Sequence, residues 1–177
     1  DDTWIEYDET IDLGTYDNSD FEIVFDATLG NGERVWVDQL VLTADASTVF
    51  SDSFELDNWN DNGINDWWLS AQQQQDGAHS ARAANNDEGF ITSDDIDLSD
   101  AVSASLDFWF RKDDTEANDF TLYFWDGSSY NLIDELDNNG TDDTLLNYND
   151  VPITTGTYDN SDFQIRFDAT LANGENV

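Results

Sequence analysis

GTYDNSDFEIVFDATLGNGERV, from Gly14 to Val35, returns as GTYDNSDFQIRFDATLANGENV from Gly156 to Val177. The copies differ only at Glu22/Gln164, Val24/Arg166, Gly30/Ala172 and Arg34/Asn176. Alternation puts Phe21, Ile23, Phe25 and Ala27 on one face, and the second copy keeps Phe163, Ile165, Phe167 and Ala169 there. Glu22/Gln164 and Val24/Arg166 fall on the opposite face. A fixed apolar face backed by a variable one predicts a half-buried strand. Asn31-Gly32 and Asn173-Gly174 then predict a tight hairpin, leading in the first copy to the strand Arg34–Leu42.

Alternation recurs along the chain. Ala104, Leu106, Phe108 and Phe110 interleave with Ser105, Asp107, Trp109 and Arg111, while Phe120, Leu122 and Phe124 interleave with Thr121, Tyr123 and Trp125. Shorter strands are expected at Thr48–Phe54, Trp67–Gln72, Ser80–Ala84, Gly89–Thr92 and Tyr130–Glu135. The turns between them are rich in Asn, Asp and Gly, and no stretch reads as a helix of ordinary length. Many short strands separated by turn signals predict an all-β, antiparallel jelly-roll β-sandwich.

A period of about 142 residues is the size of a domain rather than of a solenoid repeat. The chain therefore reads as part of a tandem array. Residues 1–44 form the C-terminal part of one repeat, 45–48 a linker, and 49–177 the next repeat lacking its last strand. Trp36–Leu42 has the sequence of that missing strand, and completion by an adjacent unit is expected, covalently joined or inserted as a donor strand; the alternative is that the same chain folds it back, making 36–177 a circularly permuted domain of one full period.

Forty-one acidic residues face five basic ones, a formal charge of −36. Such a balance excludes a nucleic-acid partner, whose phosphates demand a basic face. Carboxylates ~7 Å apart repel by ~0.6 kcal/mol even at the dielectric of water, so bound divalent cations, high salt or both are needed to offset the sum. A halophilic source and a calcium-rich extracellular setting both fit this composition. There is no cysteine, hence no disulfide and no thiolate metal site. No run of the chain approaches the ~20 apolar residues of a membrane span. Repetition and acidity together point to an extracellular or cell-surface location.

The order SDSFE (Ser51–Glu55), NDWW (Asn65–Trp68), DGAHSARA (Asp76–Ala83), IDLSDAVSASLDFWFR (Ile96–Arg111) and EANDFTLYFWDG (Glu116–Gly127), closed by WVDQLVL (Trp36–Leu42), resembles the MAM-like, concanavalin-like jelly-roll modules of secreted and surface proteins. The resemblance covers nearly the whole repeat, without the cysteines of MAM domains. It implies a structural calcium where the first and last strands meet, with Glu55, Asp38, and Asp76 or a carbonyl near Gly77 as ligands.

The residues suggest further oxygen donors. Asn58, Asn60 and Asn62, followed by Gly63, occupy the first, third, fifth and sixth places of a calcium loop, but Leu69 stands where its bidentate Glu belongs. Glu135, Asp137, Asn139 and Gly140 repeat the frame. Catalysis has little to work with. His79 is the sole histidine, so one chain cannot build a site on two, and with this many acids a carboxylate pair carries no information. The expectation is a non-enzymatic structural repeat of a surface filament, stalk or adhesin, its partners being neighbouring copies of itself. The alternative is a carbohydrate-binding module of an adhesin or secreted enzyme. For that role, or for an interface, Trp109, Trp125, Tyr130 and Trp36 are candidates, with Trp109 and Trp125 forming one outward patch if their strands pair. Asn139-Gly140-Thr141 is a glycosylation sequon in a polar turn.

Overall fold

A computed structural model describes residues 5–11, 21–29, 34–44, 47–56, 59–61 and 67–177. The strands in chain order are β1 (Ile5–Ile11), β2 (Phe21–Leu29), β3 (Arg34–Ala44), β4 (Ser47–Asp52), β5 (Asn60–Asp61), β6 (Trp67–Ser70) and β7 (Ser80–Ala84). They continue with β8 (Glu88–Thr92), β9 (Ala104–Asp113), β10 (Phe120–Asp126), β11 (Tyr130–Glu135), β12 (Leu145–Ile153) and β13 (Gln164–Leu171). A single 3-10 turn, Leu136–Asn138, is the only helical element among the described residues, and nothing there is a helix long and apolar enough to cross a membrane.

The strands form two sheets packed face to face, an antiparallel-rich β-sandwich, as the alternation predicts. One sheet runs β1-β12-β9-β3-β7-β6, with β4 on β3; the other runs β11-β10-β13-β2-β8-β5. Aromatic rings fill the space between them. Phe108 of β9 lies 4.9 Å from Tyr148 and Phe110 lies 5.8 Å from Phe120 of the facing sheet, while Phe124 meets Tyr158 and Phe163 edge-on. Buried Leu106, Phe108 and Phe110 alternate with half-buried Asp107 and Trp109, the period-2 pattern of a strand with one face in the core. Of the Trp67–Trp68 pair, Trp67 is buried with its indole N–H on the carbonyl of Gly89, and Trp68 points outward.

Three expectations change. The Asn-Gly hairpin is absent as such: β2 and β3 lie in different sheets, so the chain crosses the sandwich between them. The second copy, described throughout, shows how. Gly174 takes φ +109°, a region favouring glycine, and Asn176 then bridges Ala84 and Asp113 of the other sheet. Of the inter-repeat linker expected at 45–48, Ser47 and Thr48 belong to β4 and pair with Ala44 and Thr43 of β3, while 45–46 lie outside the described residues. Trp36–Leu42 is not left for a neighbour either: β3 runs between β9 and β7 of its own chain.

The outer face of the first sheet carries a cross-strand ladder. Trp68, Arg82, Trp36 and Arg111 lie opposite one another on β6, β7, β3 and β9. Arg82 stacks 5.3 Å from the Trp68 ring and 5.4 Å from Trp36, and Arg111 lies 4.6 Å from Trp36. The guanidiniums bury an outward-facing indole to 1% exposure. Lys112 is buried beside them, its ammonium donating to the Asp137 carbonyl and to Asp142. None of the five basic side chains is fully exposed, so the scarce cations hold the fold together and the surface is left to the acids.

Candidate functional site

The two copies of the repeat converge on one place. β13 and β2 run parallel, in register from Gln164↔Glu22 to Leu171↔Leu29, and both lie antiparallel to β10 and β8. The rings of Phe25 and Phe167 fall in the same position against Phe108 and Phe120. Beside β9, β1 and β12 repeat this arrangement, with Tyr7 and Tyr148 both opposite Phe108. At the far end Val35 pairs with Ala83, and Val177 exchanges two 2.9 Å backbone hydrogen bonds with that same residue. Two side chains cannot fill one space. The scaffold β4–β11 with β3 from Trp36 onward therefore offers a single berth, for which β1, β2 and Arg34–Val35 on the one hand and residues 146–177 on the other are alternative occupants.

The offset between occupants is not uniform, and the structure shows why. Ile5 and Leu146 both pair with Phe110, and Ile11 and Ile153 both pair with Ala104, so the second copy spends one residue more over the same span. The extra residue is taken up by a bulge in β12 between Tyr148 and Val151, where one strand carries more residues than its partner.

Asp38, Glu55 and Asp76 are gathered at the loop Gln75–His79. A bulge in β3 after Asp38, with Gln39 at φ +52°, turns the Asp38 carboxylate under this loop. Its Oδ1 accepts the Gln39 amide at 2.8 Å, and its Oδ2 accepts the amides of Gln75 and Asp76, the latter at 2.8 Å. Burial nevertheless dominates and pushes Asp38 up to about 7. Glu55 Oε1 accepts the amides of His79 at 3.0 Å and Ala78 at 2.6 Å, which hold its carboxyl below the usual range. Three carboxylates thus meet one loop, and all three are engaged by its amides, Asp76 accepting that of Gly77 at 2.9 Å. Gly77, at φ +66°, leaves the space for Glu55, since a Cβ there would fall on Glu55 Oε1. Gly77→Ala is expected to destabilise the chain by about 1–3 kcal/mol, through the left-handed backbone and displacement of Glu55. Urea titration checks this, and an unchanged midpoint would mean the loop is not anchored through Glu55.

The other expected donors do not come together there. Asn58 and Asn62 lie outside the described residues, and Asn60 is exposed in β5, paired with Thr92. Asp137 sits buried in the 3-10 turn and accepts the amides of Asn118 at 3.0 Å and Phe120 at 3.4 Å, with burial pushing it up to about 6. Asn139 donates to Asp134 at 2.8 Å, so these residues pin a turn. Trp109 and Trp125 do not share a patch, because β9 and β10 belong to different sheets. Trp125 instead lies 5.0 Å from Tyr130, with the rings tilted by 55° rather than coplanar. Trp36 is covered by its two arginines. His79 meets the Glu55 carboxylate at 3.4 Å.

One carboxylate group escaped the reading of the sequence. Glu116, Asp119 and Glu175 bring one oxygen each to within 4.8 Å of one another, close enough for a shared hard cation. Asp119 and Glu175 are buried. Each accepts a backbone amide, from Glu116 and Ala172 respectively. Burial, with the charges of Asp137 and Glu116 added, pushes Asp119 up to about 7, and burial alone pushes Glu175 up to about 9. The sequence held no signal for this group, since Glu175 approaches from a stretch far along the chain from Glu116 and Asp119.

The fold and these sites define an all-β sandwich with one strand berth and clustered carboxylates. Comparison with protein-family models, curated proteins and solved structures finds no match to this chain.

Proposed function

We propose that this chain is a non-enzymatic structural repeat of an extracellular filament, stalk or adhesin, joined to neighbouring copies of itself and stabilised by calcium or salt. The observation that carries this reading is the berth. Two segments one repeat apart meet the same partners in the same register, as interchangeable parts of one repeating module do. The withdrawal of the cations from the surface supports it as well, because what remains outside is a field of carboxylates that divalent ions would quench. Glu116, Asp119 and Glu175 are the residues best disposed to hold such an ion, with Asp38, Glu55 and Asp76 as a second group. The carbohydrate-binding alternative draws on the half-exposed Trp125–Tyr130 pair, whose tilt offers no flat platform for a sugar ring.

Calcium added to EDTA-treated protein at low salt is expected to raise the melting temperature by several degrees, since a ligand at 100 times its Kd stabilises the native state by about 2.7 kcal/mol. Identical melting curves with calcium and with EDTA, at low and at high salt, would remove the cation from the proposal. A glycan array tests the rest: specific micromolar binding would replace the structural reading with the carbohydrate one.

A further inference from the structure

The scaffold has one berth and the chain carries two inserts for it, one made of β1, β2 and Arg34–Val35 and the other of residues 146–177. Both are tethered closely. The first runs into β3, and the second follows β11 after the 3-10 turn. Their contacts are near-equal. The C-terminal insert gains the bonds of Gln164 to Tyr130 at 3.0 Å and to Asp95 at 2.5 Å, and the ion pair of Arg166 with Asp168 at 3.2 Å. The N-terminal insert carries Glu22 and Val24 at those register positions, but it leads directly into β3. Whichever insert occupies the berth, the other is left with an apolar row of Phe, Ile, Phe and Ala and a full set of unpaired backbone groups. One surface matches the displaced insert residue for residue: the berth of another copy.

We infer that this chain is a strand donor to a second copy of itself, the insert displaced from its own berth seating in the vacant berth of a neighbour. The exchanged element is the pair of strands preceding β3 together with Arg34 and Val35 at its start, or its repeat β12 and β13 with Asn176 and Val177, whereas β3 from Trp36 onward stays with each scaffold. Backbone pairing along β10 and β8 supplies the attachment, and the Phe25 or Phe167 ring keys the register. This inference rests on the structural-repeat reading and gives that reading its joint.

The test uses full-length chains. In Phe25→Asp/Phe167→Asp both inserts are spoiled and the berth is empty; either single variant keeps one good insert and holds it at home. Mixed with the double variant, the wild-type chain, which has an insert to spare, is expected to form a 1:1 complex by light scattering and to restore cooperative unfolding. Each single variant is expected to fold, and to capture the double variant at least tenfold more weakly. Capture by the single variants as strong as by wild type, no capture by wild type, or failure of both single variants to fold would each overturn the inference.

Should the double variant aggregate, hydrogen exchange on the wild-type monomer decides. Peptides spanning 21–29 and 163–171 differ in mass through Glu22/Gln164 and Val24/Arg166, and their protected fractions are expected to sum to about one insert per chain. Full protection of both in a monomer would overturn the inference. Glycan binding by a chain that still donates its insert would sink the structural-repeat reading while supporting the donor role.

Discussion

Lowering the pH from 8 to 5 in low salt and EDTA is expected to stabilise this chain, by ~3 kcal/mol or more and therefore by ~10 °C in melting temperature for a chain of this size. Five carboxyls drive the effect, among them Asp26, which burial pushes up to about 8. Burial places Glu175 at about 9, Asp38 and Asp119 at about 7 and Asp137 at about 6 in the folded state. In the unfolded chain they titrate near 4. A folded pKa above the unfolded one means that the folded state binds more protons. Its contribution is full below about pH 4 and is lost as pH rises toward 9. The charge of −36 acts in the same direction, because protonation relieves repulsion. On the acid side the sign reverses. At Asp126 burial is outweighed by hydrogen bonds from Asn131, Ser128 and Ser129, which bring it down to about 2, so its contribution fades as pH falls below 4. Stability should therefore peak near pH 4–5 without metal, and calcium should flatten the neutral limb. Thermal melts across pH 3–9 read this directly. A peak at pH 7–8 in EDTA would show that the buried carboxyls are compensated within the chain.

Trp36→Ala should cost about 3–5 kcal/mol, the range for removing a large buried aromatic, out of the roughly 5–15 kcal/mol that holds a typical domain together. The indole is buried at the centre of the first sheet, and its loss leaves Arg82 and Arg111 facing a gap instead of a ring. Arg111→Lys separates charge from stacking. It retains the ion pair with Asp143 but gives up the planar cover on Trp36, and a smaller loss of ~1–2 kcal/mol is expected. Urea midpoints of the two variants check the order. An unchanged midpoint for Arg111→Lys would mean that the ladder acts through charge alone.

The sandwich was legible because its inner faces alternate cleanly, as in Leu106–Phe110 and Phe120–Phe124. β12 was not, because its bulge breaks the phase between Tyr148 and Val151 and Pro152 argues against a strand. The Asn-Gly pair misled for a related reason. It marks a sharp reversal, but whether the chain returns beside the same strand or crosses to the facing sheet depends on long-range partners such as Ala83 and Asp113. The convergence of Asp38, Glu55 and Asp76 on one loop came from a resemblance rather than from spacing. Glu116, Asp119 and Glu175 could not be found in a chain where acids are everywhere, since only the fold selects which of them are buried together.

The burial of the basic residues has a consequence for proteolysis. A trypsin-like enzyme cuts only after lysine or arginine, and Arg82, Arg111 and Lys112 of the scaffold are all shielded. The remaining sites, Arg34 and Arg166, lie one in each insert. On the strand-donor proposal, the strand pair out of the berth presents its single cleavage point, and the first nick on a folded molecule is expected to read out which end of the chain is the donor.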